Sequence, residues 1–173
     1  MQTPRQSPIL AENRHPMKIK LLVIGKTDEA FLEEGIEKYL KRLKHYHSVE
    51  FVIIPDVKGG GKLTPDKLKE AEGKLILQKL QDGDHLILLD EKGKSFTSSE
   101  YATFLQKKLN AVTTNLVFAV GGAFGFSPEI YARANDKISL SKMTFTHQMV
   151  RMFFFEQLYR GFTILRGEKY HND

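Results

Sequence analysis

Leu116-Val-Phe-Ala-Val-Gly-Gly-Ala-Phe-Gly-Phe-Ser-Pro128 reads as a strand, a glycine-rich turn and a helix start in immediate succession. The first five residues are aliphatic or aromatic and short in run, as a buried strand requires. Gly121, Gly122 and Gly125 permit a tight reversal. Ser127-Pro128 then pairs a hydroxyl cap with the residue best suited to a first helical position. Other short apolar runs, at Ile19–Ile24, Val49–Ile54 and His85–Leu89, alternate with helical patterns along the chain. That alternation predicts an α/β fold with a mainly parallel sheet flanked by helices.

The first helix is expected from Thr27-Asp28, which can cap it, with Phe31, Leu32, Ile36, Tyr39, Leu40 and Leu43 recurring on one face. A second follows Thr64-Pro65 and runs towards Asp82-Gly83. A third opens with Thr97-Ser-Ser-Glu100, the spacing of a capping box. The last is expected from about Thr146 to Arg160 and is apolar nearly all round, with Met149, Val150, Met152, Phe153, Phe154, Phe155 and Leu158. Such a helix must be covered on more than one side. In a domain of this size the covering surface is expected to include a second copy of the chain, a homodimer.

The chain has 173 residues, enough for one domain with a core of its own, and no cysteine. Disulfides, thiolate metal sites and cysteine nucleophiles are therefore excluded. Residues 1–16 are polar with three prolines and lack the apolar run of a secretory signal. They are expected to be a disordered leader or upstream extension, with one domain over 17–173 and Met17 a possible natural start. No run approaches the eighteen apolar residues of a membrane span, so a soluble, cytoplasmic protein without membrane attachment is expected. The net charge of +5 favours a polyanionic partner.

Val57-Lys-Gly-Gly-Gly-Lys62 lacks the spacing of a phosphate loop and reads as a basic loop or a plain connection. Gly121-Gly122-Ala-Phe-Gly125 stands where open α/β sheets place ligands, yet it is not a dinucleotide fingerprint. It is either a ligand loop or a tight turn. Leu88-Leu89-Asp90-Glu-Lys-Gly93 also follows a strand, and Ser139–Thr146 is rich in hydroxyls. These three loops could converge on one pocket and grip a nucleoside through backbone groups. His147 reads as a general base or as a residue at a helix start. His171, in a terminal Tyr-His pair, has a place only if something holds it. Arg151 and Arg160 are nine residues apart, on different faces of one helix, and either can pair with Glu156 or another acid.

Five ordered motifs together resemble the RlmH family of SPOUT-class methyltransferases, which act on a pseudouridine in large-subunit ribosomal RNA. They are residues 88–100, Val120-Gly-Gly-Ala-Phe-Gly-Phe126, Ser139 to Arg151, Glu156-Gln-Leu-Tyr-Arg160 and Tyr170-His171. The resemblance implies a carboxyl-terminal trefoil knot, a homodimer and N3-methylation of pseudouridine in 23S rRNA on the assembled ribosome. It also implies S-adenosyl-L-methionine as cofactor, held by Leu89, Gly121 and the run Leu140, Ser141, Lys142, Met143, Thr144 and Phe145. Thr146 stands where the family commonly has proline. Methylation of an imide nitrogen calls for a base or a cation that stabilises the anion; His147 or His171 is put forward for the proton and Arg160 for the developing negative charge. No metal is expected. The rival readings are an α/β enzyme using another nucleotide and a non-catalytic RNA- or ribosome-binding factor.

Overall fold

A computed structural model describes residues 16–170. The proposed leader, apart from Pro16, and His171 lie outside the described residues. In chain order the elements are β1 (Ile19–Ile24), α1 (Ala30–Leu43), β2 (Val49–Ile54), α2 (Pro65–Leu77), β3 (His85–Ser95), α3 (Ser98–Ala111), β4 (Leu116–Val120), α4 (Pro128–Arg133), β5 (Asp136–Ser139) and α5 (Met149–Leu165). A single 3-10 turn, Gly60–Lys62, interrupts the loop before α2. The five strands form one sheet in the order β2-β1-β4-β3-β5, and every pairing is parallel. The expected α/β architecture is the observed one.

Each strand of the sheet's centre buries both faces. On one side, Leu21, Val23, Ile87, Phe118 and Val120 pack against Ile36 of α1, Leu105 of α3 and Phe154, Phe155 and Leu158 of α5. The rings of Phe118 and Phe154 sit with centroids 4.7 Å apart. On the other side, Leu22, Ile24, Leu86, Leu88 and Val117 pack against Ile76 of α2 and Ile130 of α4. Alternation along each strand sends neighbouring residues to opposite layers, which is why the strands read as unbroken apolar runs.

The layers explain α5. It contacts both α1 and α3 and lies on the sheet, so its own chain covers it on three sides. No residue from Met149 to Leu165 is exposed. The burial of this helix therefore does not by itself require a second copy. It also begins three residues later and ends five residues later than the sequence pattern suggested.

Other departures are local. α1 starts after Glu29, with no side-chain cap, because the Thr27 hydroxyl expected to cap it is turned inward to Arg151. α2 ends at Leu77 rather than near Gly83. β3 runs on to Ser95, and the short strand β5 had no sequence signal: Asp136-Lys-Ile-Ser139 is too short and polar to stand out. The capping box is present in full, with the Glu100 N–H donating to Thr97 Oγ1 at 3.2 Å and the Thr97 N–H donating to Glu100 Oε2 at 2.7 Å. Thr97→Ala is expected to cost about 1 kcal/mol in urea unfolding, since it orphans a first-turn amide.

Candidate cofactor pocket at the strand ends

β3 does not meet β5 in simple register. Leu89 pairs with Ile138, and after an irregularity Lys94 pairs with Ile138 as well. The segment Asp90–Gly93 loops out between these two pairings, over the backbone of β5. Gly93 permits this approach: a Cβ there would lie 2.5 Å from the carbonyl carbon of Ile138, 2.6 Å from its nitrogen and 2.7 Å from its Cα. The β4–α4 loop is equally tight. Gly125 has φ of +81° and donates to the Gly122 carbonyl at 3.1 Å, and a Cβ on Gly121 would meet Gly125 backbone at 2.9 Å. The glycine run is thus a tight turn, and it is also a wall of a cavity.

That cavity measures about 980 Å³ and opens at the carboxyl ends of β3, β4 and β5. Its lining comes from all three loops that the sequence singled out: Leu89–Lys92, Val120–Phe126 and Ser139–His147, with Lys142 the exception. Leu89, Gly121, Leu140, Ser141, Met143, Thr144 and Phe145 all face it, while Lys142 is exposed and does not. Ser141 organises the third loop. Its carbonyl accepts from Ser139 Oγ at 2.7 Å, and its own hydroxyl accepts from the Met143 N–H at 2.9 Å. Thr144 Oγ1 donates to Glu91 Oε2 at 3.3 Å, tying this loop to the one after β3. Asp90 accepts from the Tyr131 hydroxyl, and burial, then this bond, push that phenol's pKa up. Phe145 is set edge-on against Phe153 of α5 at 4.8 Å.

A fourth wall had no signal in the sequence motifs. Glu29, at the N-terminal boundary of α1, and Phe31 and Leu32 in its first turn also line the cavity. Phe31 was read as a core residue of α1 but is 58% exposed, as is Phe124 at 54% and Met143 at 75%, so the mouth is rimmed with apolar side chains. A periodicity argument assigns Phe31 to the core because it shares the apolar stripe; only the position of the loops turns it to the cavity.

His147 lines the cavity just before α5. Burial first, then the positive charge of Arg151, hold its pKa below the ordinary 6.5, against the pull of Asp28 and Asp56. The proximity of other groups follows from how the start of α5 is tied to the β1–α1 loop. Gln148 Oε1 accepts from the Asp28 N–H at 3.1 Å, and Gln148 Nε2 donates to the Lys26 carbonyl at 3.0 Å. Arg151 donates to the carbonyls of Ile24 and Gly25, at 2.6 and 3.0 Å, and to Thr27 Oγ1 at 3.2 Å. The acid partner expected for Arg151 is thus replaced by carbonyls.

Arg160 does not join this group. It pairs with Glu156 one turn away, with Nη2 to Oε1 at 2.6 Å, as its spacing predicted. Its guanidinium also lies 4.7 Å from the centroid of the Tyr170 ring, whose hydroxyl reaches Glu156 at 3.2 Å. Tyr170 is therefore held, while His171, for which the condition was set, lies outside the described residues.

A family model described as a predicted SPOUT methyltransferase matches residues 17–171. The ribosomal RNA large subunit methyltransferase H of Cytophaga hutchinsonii is 57% identical over 156 residues, which cover 90% of this chain and all of that protein. The chain belongs to the RlmH family of SPOUT methyltransferases. The proteins of the same name from Parabacteroides distasonis and Flavobacterium johnsoniae are 54% and 55% identical, covering 91% and 90% of this chain and 100% and 99% of their own lengths. Among solved structures, a probable methylase family protein from Haemophilus influenzae Rd KW20 aligns with a TM-score of 0.47 and 12% identity, over 88% of this chain and 67% of its own. Among the described residues there is no cluster of three or more His, Cys, Asp or Glu suited to a metal ion, and no helix long and apolar enough to cross a membrane.

Proposed function

We propose that this protein transfers a methyl group from S-adenosyl-L-methionine to N3 of a pseudouridine in 23S rRNA, acting in the cytoplasm on assembled ribosomes. The observation that carries this reading is the cavity of about 980 Å³ built from three strand-end loops, with His147 on its wall. The lining fits the donor. Leu89, Leu140, Met143 and Phe145 offer apolar contact to a purine, while the backbone of Gly121 and the hydroxyls of Ser141 and Thr144 suit an adenine edge and a ribose. Lys142, which faces solvent, is better placed for RNA phosphate than for the donor. When bound, S-adenosylmethionine supplies a methyl on a sulfonium that is its own leaving group.

The protein's part is then to align the acceptor nitrogen with that methyl and to manage one proton. An imide N–H at N3 stays protonated at neutral pH. His147, kept neutral by burial and by Arg151, takes this proton as N3 takes the methyl. Arg160 would offset the negative charge that develops on the base, yet eleven residues of helix separate it from Met149, about 16 Å of axial rise. An Arg160 supplied by a second copy would not be subject to that separation. That separation, rather than the burial of α5, favours a homodimer. The double pairing of Ile138 around the Asp90–Gly93 loop supports a knotted passage of the carboxyl-terminal segment.

The test is to incubate the protein with labelled S-adenosylmethionine and ribosomes lacking the modification, beside protein-free large-subunit RNA, and to map the label. Label on N3 of one pseudouridine in assembled ribosomes is the expected result. Donor binding without label on either RNA would overturn the substrate and leave the alternative of an RNA- or ribosome-binding factor.

A further inference from the structure

Arg151 is fully buried, and among the described residues its hydrogen bonds go to two carbonyls and one hydroxyl, no carboxylate forms an ion pair with it and its Nε has no partner; Asp28 and Asp56 act on it only through space. A buried cation in such surroundings is costly, and an apolar side chain of similar volume commonly serves stability as well or better. The site of its contacts is informative. Ile24, Gly25 and Thr27 form the turn that leads from β1 to the cavity wall made by Glu29, Phe31 and Leu32, while Arg151 itself stands four residues after His147.

We propose that Arg151 is a positioning residue for methyl transfer, clamping the β1–α1 turn to the start of α5 so that the cavity wall at the start of α1 and His147 are held as one unit. The proposal rests on the methyltransferase reading above. Gln148 is the second strap, since it bonds Lys26 and Asp28 in the same turn. The clamp has an electrical side. The charged groups acting on His147 are Arg151 from its own segment, Asp28 from the β1–α1 turn and Asp56 from beyond β2, with Glu29 on the same cavity wall. Arg151 is the positive member that opposes the imidazolium.

Three variants, Arg151→Met, Arg151→Lys and Gln148→Ala, separate clamp from charge. Transfer to ribosomes would be followed across pH, and S-adenosylmethionine binding by calorimetry. Arg151→Met is expected to lower transfer by about a hundredfold, the penalty of a misplaced reacting group, and to move the acid limb of the profile to higher pH. Arg151→Lys should leave that limb where it is in the wild type and recover part of the rate. A folded Arg151→Met protein with wild-type rate and limb would overturn the proposal. Should Arg151→Met fail to fold, Gln148→Ala decides: it is half-exposed at the helix start and should lower transfer while leaving the acid limb unmoved, whereas undiminished transfer overturns the clamp. If the wild-type chain labels no RNA, the functional reading falls instead, and the clamp is judged on donor affinity. Arg151→Met, or Gln148→Ala in its place, should weaken it, and unchanged affinity would overturn the clamp.

Discussion

Gly93→Ala is expected to cost about 3 kcal/mol of stability, the upper part of the range for forced overpacking, and to remove methyl-donor binding at the same time. The methyl would fall within 2.7 Å of three backbone atoms of Ile138, where no side chain can swing aside. Relief requires that the Asp90–Gly93 loop lift away from β5 or that β5 leave its pairing with β3. Either movement opens the cavity, because Leu89–Lys92 and Ser139–Ser141 are two of its walls. Urea unfolding and calorimetric titration of S-adenosylmethionine measure the two effects. Gly61→Ala is the control, since nothing lies within 4 Å of its Cβ position and its φ is not in the left-handed region. Gly93→Ala matching Gly61→Ala in both measurements would show that the loop does not press on β5.

His147→Gln should lower methyl transfer by about a hundredfold or more, the contribution of a positioned base, while S-adenosylmethionine still binds. Glutamine keeps a polar group of comparable reach but cannot take the proton. The pH profile gives the sign. With His147 as the proposed base, transfer calls for the neutral imidazole, so the rate should fall as pH drops through the pKa of His147. Burial and Arg151 hold that pKa below 6.5, so the wild-type rate should persist to lower pH than an ordinary histidine allows. Stability runs the same way: the unfolded chain binds the proton more readily, so this histidine's contribution is full above 6.5 and is lost as pH falls through the lowered value. A transfer rate in His147→Gln equal to the wild type would remove His147 from the chemistry and leave the terminal segment as the source of a base.

Much of the site was legible because its residues are local signals. Gly121 to Pro128 announces a turn and a helix start from four residue types whose backbone preferences are strong. Thr97 and Glu100 announce a cap in the same way, and the structure contains it. Leu89, Leu140 and Phe145 could be assigned to a pocket from their motifs, and they line one cavity. By contrast, Thr27 was misread as a cap. Its hydroxyl has two possible partners, an amide three residues on and a guanidinium 124 residues on, and only packing decides between them. Arg151 was misread for the same reason, since spacing on a helix reveals Glu156 and Arg160 as partners but is blind to carbonyls at a distant strand end.

Strands β1 to β4, the helices between them, the parallel sheet and the three loops that line the cavity were all readable from local pattern, because each depends on residues a few positions apart. Tertiary structure alone decided the strand order, the pairing of Ile138 on both sides of a loop, the wall contributed by Phe31 and the carbonyl cage around Arg151. Those features join segments distant in the chain, as Ile19 and Val49 are by 30 residues and Arg151 and Gly25 by 126. Local propensity has no term for such contacts; they exist because two layers of helices must close on one sheet, and closing them brings those segments together.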